Sequence, residues 1–405
     1  MYRISTFESL RYRNFRLFWS GQLISLIGSW IQNVAQGWLV LELTNSPFLL
    51  GLVNSIGSLP ILFFSMIAGV IADRVRKRNL IIATQISLTI LAFILGLLTS
   101  TDLVRIWHVI IIVFLVGVVN AFDMPARQSF VIELVGRESL MNAIALNSSI
   151  FNAARTIGPA IAGIMVSSIG IAGCFYINAI SFIPVIIGLY LINGEFRVER
   201  EDFSNISLLE DLRLGLIYLK SNRDVFIIIL MVAINSVFGM PYTVFMPVFA
   251  RDVFKVGARG LGFLMASVGI GALVDALVVA TIGRYRRKGR ILFIGISLLS
   301  IFLIIFSLSK SYILGLLALV FTGFFMIMFT ATANTLVQTY VRDDMRGRIM
   351  STYTMFFIGM TPLGSLQARA ISSRWGVTTA VLLGGILNLL MAITIFIKFP
   401  NIKNM

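Results

Sequence analysis

Apolar residues run in long blocks along this chain, and polar residues are pushed into short stretches between them. Val225–Ala250 and Ile291–Ser309 each pass about 20 residues or more without a charged side chain. That is the length needed to cross a hydrocarbon core about 30 Å thick. A soluble core does not demand such runs repeatedly, whereas a bilayer does. Twelve blocks are legible, at 15–41, 47–72, 79–99, 104–126, 140–167, 171–192, 225–250, 259–283, 290–309, 312–340, 347–373 and 376–398. Each must be a helix, because lipid offers the backbone no hydrogen-bond partner.

The longest polar stretch, 193–224, falls after the sixth block and predicts a surface amphipathic helix over 208–220. The chain therefore divides into a six-helix bundle over 1–194, a linker over 195–223 and a second six-helix bundle over 224–405. The halves are weakly alike. An offset of 206 superposes Gly117 on Gly323 and Gly158 on Gly364. Six spans plus six, joined by a long central loop, is the arrangement of parallel repeats about an axis normal to the membrane.

Charge sets the orientation. There are 33 Lys and Arg. If the N-terminus is cytoplasmic, all of them lie at cytoplasmic span ends or loops except eight. Arg105, Arg251, Lys255, Arg259, Lys310 and Arg374 fall on the opposite side, and Arg155 and Arg369 fall within spans. This bias places both termini in the cytoplasm. It also accounts for the net charge of +15 as loop charge facing anionic lipid, and it argues against a nucleic-acid partner. Only 13% of residues are charged, about half the usual share for a soluble domain. One histidine, His108, one cysteine, Cys174, and scattered acids supply no metal cluster, no disulfide and no catalytic constellation. No cofactor is expected, and the chain does not read as an enzyme. Met1–Arg16 is basic and amphipathic but does not read as a cleavable leader.

The loop between spans two and three reads Gly69-Val-Ile-Ala-Asp73-Arg74-Val-Arg76-Lys77-Arg78. It resembles the signature loop of the major facilitator superfamily, with Arg76 where the family has a glycine. In physical terms Gly69 permits close helix approach, Asp73 suits a helix N-terminus, and the basic cluster holds the loop in the cytoplasm. Span five carries Arg155-Thr-Ile-Gly158-Pro159-Ala-Ile-Ala-Gly163, similar to the Gly-Pro motif of the superfamily's exporters and antiporters. A packing kink alone would also explain it. The stretches beginning Trp38, Asp123, Asn142 and Phe151, with Arg346-Gly347-Arg348, resemble the branch of enterobactin exporters and macrolide efflux pumps. The resemblance implies the major facilitator fold, a plasma membrane location in a bacterium, and a monomer. It also implies export of a small, amphipathic, drug-like or siderophore-like molecule by alternating access in exchange for protons. Uptake of a small metabolite is the alternative, and a receptor or scaffold is the remaining one.

Polar residues inside spans are the candidate machinery. Gln22, Ser25, Ser29, Gln32 and Gln36 repeat at spacings of three and four, which sets them on one helical face. They either line an aqueous cavity or bond to a neighbouring helix. Asn152 and Arg155 do the same on span five, where a charge costs roughly 3 kcal/mol unless it faces protein or water. Arg155 is a candidate for an anionic substrate or for a structural pair. Asp275 and Glu42 are the candidate proton carriers, and Glu42 also reads as an interfacial cap. Asp123 and Arg127 stand four apart, the spacing of a helical ion pair, and are candidates for gating. His108 reads as an interfacial anchor, and Arg369 as a snorkelling side chain.

Overall fold

The computed structural model describes residues 8–136, 138–192, 217–219, 221–282, 288–342 and 345–403. The expected amphipathic helix over 208–220 lies almost wholly outside them. Among the described residues every element is a helix. In chain order these are α1 (Arg13–Thr44), α2 (Pro47–Arg74), α3 (Lys77–Ser100), α4 (Ile106–Val135), α5 (Leu140–Ser181), α6 (Ile183–Leu191) and α7 (Arg223–Ile234). They continue with α8 (Tyr242–Val248), α9 (Gly257–Ile282), α10 (Lys288–Leu308), α11 (Tyr312–Tyr340), α12 (Arg346–Gly359), α13 (Thr361–Trp375), α14 (Val377–Lys398) and the short α15 (Pro400–Lys403).

Among the described residues eight stretches are long and apolar enough to cross a membrane. One of them, Asn142–Leu191, is 50 residues long and covers two passes, because Gly170 at φ 76° reverses the chain inside α5. Only glycine takes that conformation without strain. With α2, and with α1 and the α12–α13 pair, whose polar residues dilute their apolar runs, the chain makes the twelve passes of an all-α membrane protein. Two passes are less regular than their sequence implies. Span seven contains two π-helical turns, Asn235–Gly239 and Phe249–Val253. Span eleven breaks between Gly359 and Thr361, where Pro362 opens the first turn of α13.

The chain forms two compact units, Met1–Asn45 with Ile56–Asp202, and Ser46–Ser55 with Phe203–Met405. Each is built by glycine-mediated helix contacts, the device that lets membrane helices approach without a hydrophobic drive between them. In the first unit Gly158 of α5 sits on Ile27 and Trp30 of α1, and Gly117 of α4 sits on Gly57 and Pro60 of α2. In the second, Gly364 of α13 sits on Ser236 and Val237, and Gly323 of α11 sits on Val268 of α9. Adding 206 to Trp30 gives Ser236, so for Gly158 and Gly364 the same offset relates a partner as well, though not for Gly117 and Gly323. It extends further. Gln32 bonds Asn178 in the first unit, and the corresponding positions, Phe238 and Gly384, touch in the second. The repeat is thus carried by contact geometry more than by residue identity.

Candidate functional site

The signature loop is a short turn. α2 ends at Arg74, Arg76 stands at the N-cap of α3, and Lys77 and Arg78 open its first turn. Lys77 forms an ion pair with Glu133 of α4, and Arg78 Nη2 donates to the Tyr190 carbonyl of α6 at 3.0 Å. Arg74 and Arg76 are exposed. The Asp73 side chain lies outside the description. A Cβ at Gly69 would meet no atom within 4 Å among the described residues, so the close helix approach ascribed to it is not seen among them.

The ion pair read from spacing forms. Arg127 Nε donates to Asp123 Oδ2, and two residues of α3 that sequence reasoning missed complete the cluster. Thr84 Oγ1 and Gln85 Nε2 both donate to Asp123 Oδ1, at 2.6 and 2.9 Å. Asp123 is buried, so these donors replace the water its carboxylate has lost. Thr84 and Gln85 lie nearly 40 residues from Asp123, and a pair of small polar residues in an apolar span gives no local signal of such a partner.

The polar face of α1 divides in two. Ser25 and Gln32 are buried, and Gln32 Oε1 accepts from Asn178 Nδ2 of α5 at 2.7 Å. Here the helix-bonding alternative holds. Gln22, Ser29 and Gln36 are half-buried on the adjoining arc, beside an exposed Asn33 that the spacing argument had passed over. Asn33 lies one turn beyond Ser29 on that arc, which was the available signal. On α5, Arg155 Nη2 donates to Asn152 Oδ1 at 3.0 Å, and Asn152 Nδ2 to the Ser148 carbonyl at 2.9 Å. Pro159 and Gly163 are buried. Gly158 is pressed to Ile27 and Trp30 of α1, so the Gly-Pro motif acts at least in helix packing.

Asp275 is wholly buried, and neither carboxylate oxygen has a hydrogen-bond partner among the described residues. It lies one turn beyond Gly271, whose missing side chain lets α9 touch the Val320 and Phe324 backbone of α11. Asp275 therefore faces the α9–α11 seam. Glu42 is exposed and accepts from the Trp38 indole at 2.6 Å, an interfacial arrangement. His108 accepts from the Arg105 backbone N–H at 3.0 Å and so caps α4. Arg369 does not snorkel freely. Its guanidinium lies over the Phe48 ring at 3.9 Å.

Twelve passes in two units of like internal packing, with polar side chains set inside the spans, define a polytopic membrane transporter. The chain belongs to the major facilitator family described as transmembrane secretion effector, whose family model matches residues 4–405. It is 29% identical over 400 residues to the staphyloferrin A transporter of Staphylococcus aureus (strain NCTC 8325 / PS 47), covering 96% of each chain. It is 22% identical to macrolide efflux protein A of Streptococcus pyogenes, over 95% of this chain and 96% of that one. Among solved structures the nucleoside transporter NupG shares the fold at a TM-score of 0.74 and 14% identity, covering 96% of this chain and 99% of that one. Membership of this family makes the chain a multi-pass membrane transporter and not an enzyme.

Proposed function

We propose that the protein exports a small amphipathic molecule across a bacterial cytoplasmic membrane by alternating access, in exchange for protons. Asp275 is the proton carrier in this reading. A carboxylate inside a span must face protein or water. One with neither oxygen bonded can take up a proton from one side and release it to the other as its hydration changes. The observation that carries the reading is that isolation of Asp275. It lies seven residues from the end of α9, about 10 Å at 1.5 Å per residue, so a small change in packing suffices to reach it. Glu42, already bonded to Trp38 and exposed, is the weaker candidate.

Gln22, Ser29, Asn33 and Gln36 of α1, with Asn152 and Arg155 of α5, are the proposed polar lining for substrate. Asp123, Arg127 and the loop from Gly69 to Arg78 act at the proposed cytoplasmic gate. A pathway bounded mainly by uncharged amides and apolar side chains suits molecules that are part polar and part greasy. The relatives named for staphyloferrin A and for macrolides support that breadth. Both termini are placed in the cytoplasm by the charge bias, and the protein acts as a monomer.

Inside-out vesicles test the reading. Labelled staphyloferrin A and a labelled macrolide are offered from outside while the lumen is held acidic. Accumulation of either that collapses when an ionophore removes the pH gradient is the expected result. Accumulation indifferent to the gradient contradicts proton exchange.

A further inference from the structure

α2 is one continuous helix that belongs to two units. Its first residues, through Ser55, cluster with the second unit, and from Ile56 onward it clusters with the first. Two sets of contacts account for the change. Past the boundary, Gly57 and Pro60 lie against Val113 and Gly117 of α4, partly through bare backbone. Such a contact has no side chain that can swing away, so it ties this part of α2 to α4. Before the boundary, α2 lies on α13. The Arg369 guanidinium stands 3.9 Å from the centre of the Phe48 ring. A Cβ at Gly51 would stand 3.5 Å from the Arg369 Cβ and 3.6 Å from the Ser365 carbonyl oxygen. Phe48, Gly51 and Ser55 share one helical face, on which Gly51 and Ser55 are buried and Phe48 is exposed; Leu50 and Val53 are buried on the opposite face.

Arg369 is otherwise hard to explain. Its Nε is buried without a hydrogen-bond partner among the described residues, and a charge within a span is costly unless something answers it. Here the face of an aromatic ring answers it, an attraction that strengthens when water is excluded. A cation on a ring suits a contact that must break repeatedly. It is directional enough to define a docked state, and it is weaker than a buried ion pair, whose rupture strands two charges.

We propose that residues 46–55 form a latch at the outer end of α2, held on α13 by Arg369 over Phe48 and released each time the pathway opens to the outside. Arg369 is a positioning residue in this device and need not touch substrate. The proposal rests on the alternating-access reading, but not on export or on protons.

Its test needs no substrate. In a Cys174→Ala background, Gln36→Cys on α1 is labelled in intact cells with an impermeant maleimide, and the labelling rate reports outward opening. Three further arms change the latch. Phe48→Ala should label roughly 3- to 10-fold faster, the scale of one lost cation–π contact, while Phe48→Tyr, which keeps the ring, should match the starting rate. Gly51→Cys with Arg369→Cys places two Cβ atoms within the range a disulfide spans, about 3.5–4.5 Å. After oxidation that variant should show the cross-link by mass spectrometry and should no longer label at position 36. Labelling that continues unchanged in the cross-linked protein overturns the latch and leaves alternating access standing. Failure of the cross-link to form, or equal rates for Phe48→Ala and Phe48→Tyr, also overturns it. No labelling of Gln36→Cys in any arm removes the alternating-access reading, and the latch with it.

Discussion

Two buried aspartates occupy opposite situations. Asp123 accepts from Thr84, Gln85 and Arg127, so both its oxygens are engaged and a cation answers its charge. Asp275 is buried at least as deeply and has no bond to either oxygen among the described residues. The same side chain is a fully partnered member of a polar cluster in one place and the proposed proton site in the other. Burial alone does not make a carboxylate functional. What separates the two is whether the surroundings already supply the partners that water would have supplied.

The largest expected effect follows from that difference. Asp123→Ala strands Arg127 in a site with little solvent and should cost about 3 kcal/mol or more, the usual result of removing one member of a buried pair. Thermal unfolding of the purified protein in detergent should show a large drop or no folded material. Asp275→Leu removes an unanswered polar group and should leave the midpoint equal or higher. Equal losses for the two variants would erase the distinction.

The surroundings of Asp275 give the next effect. A side chain at Gly271 would collide with the Val320 carbonyl and the Phe324 amide of α11, so Gly271→Val should destabilise by about 1–3 kcal/mol, the cost of overpacking. Gly69→Ala meets no atom within 4 Å among the described residues and should stay within about 0.5 kcal/mol. If Gly69→Ala proves the more damaging in the same unfolding assay, the signature glycine has a contact that the described residues do not show.

The smallest effect concerns the amide pair that ties α1 to α5. Gln32→Leu leaves Asn178 without the acceptor it holds at 2.7 Å and should cost roughly 0.6–1.7 kcal/mol, the measured scale of hydrogen bonds between membrane helices. Gln36→Leu should be silent in stability and should act on transport. Loss of stability at both positions alike would mean that the whole α1 face is packing.

The contrast also marks how far the sequence could be read. The spans were legible because lipid imposes their length and forbids other backbone structures, and Asp123–Arg127 was legible because a four-residue spacing on one helix is local. Thr84 and Gln85 were not, since their meaning comes from a helix packed beside α4. The π-helical turn at Asn235–Gly239 was hidden as well, because one extra residue in a turn leaves the apolar run unbroken. Gly69 looked like a contact glycine by motif and meets no neighbour among the described residues, while Gly271, which carries a true backbone contact, stands in no motif. Asp275 stood out by type and depth, but its lack of partners depends on every neighbour of α9 and could only be seen in three dimensions.

The most direct test of the proton-carrier account is Asp275→Asn in reconstituted vesicles, measured two ways on one preparation. Exchange of labelled for unlabelled transported compound without a gradient should persist, since the amide keeps the shape of the site. Accumulation driven by an imposed pH gradient should fall to the level of protein-free vesicles. Gradient-driven accumulation at the wild-type rate with the wild-type pH dependence would show that Asp275 carries no proton.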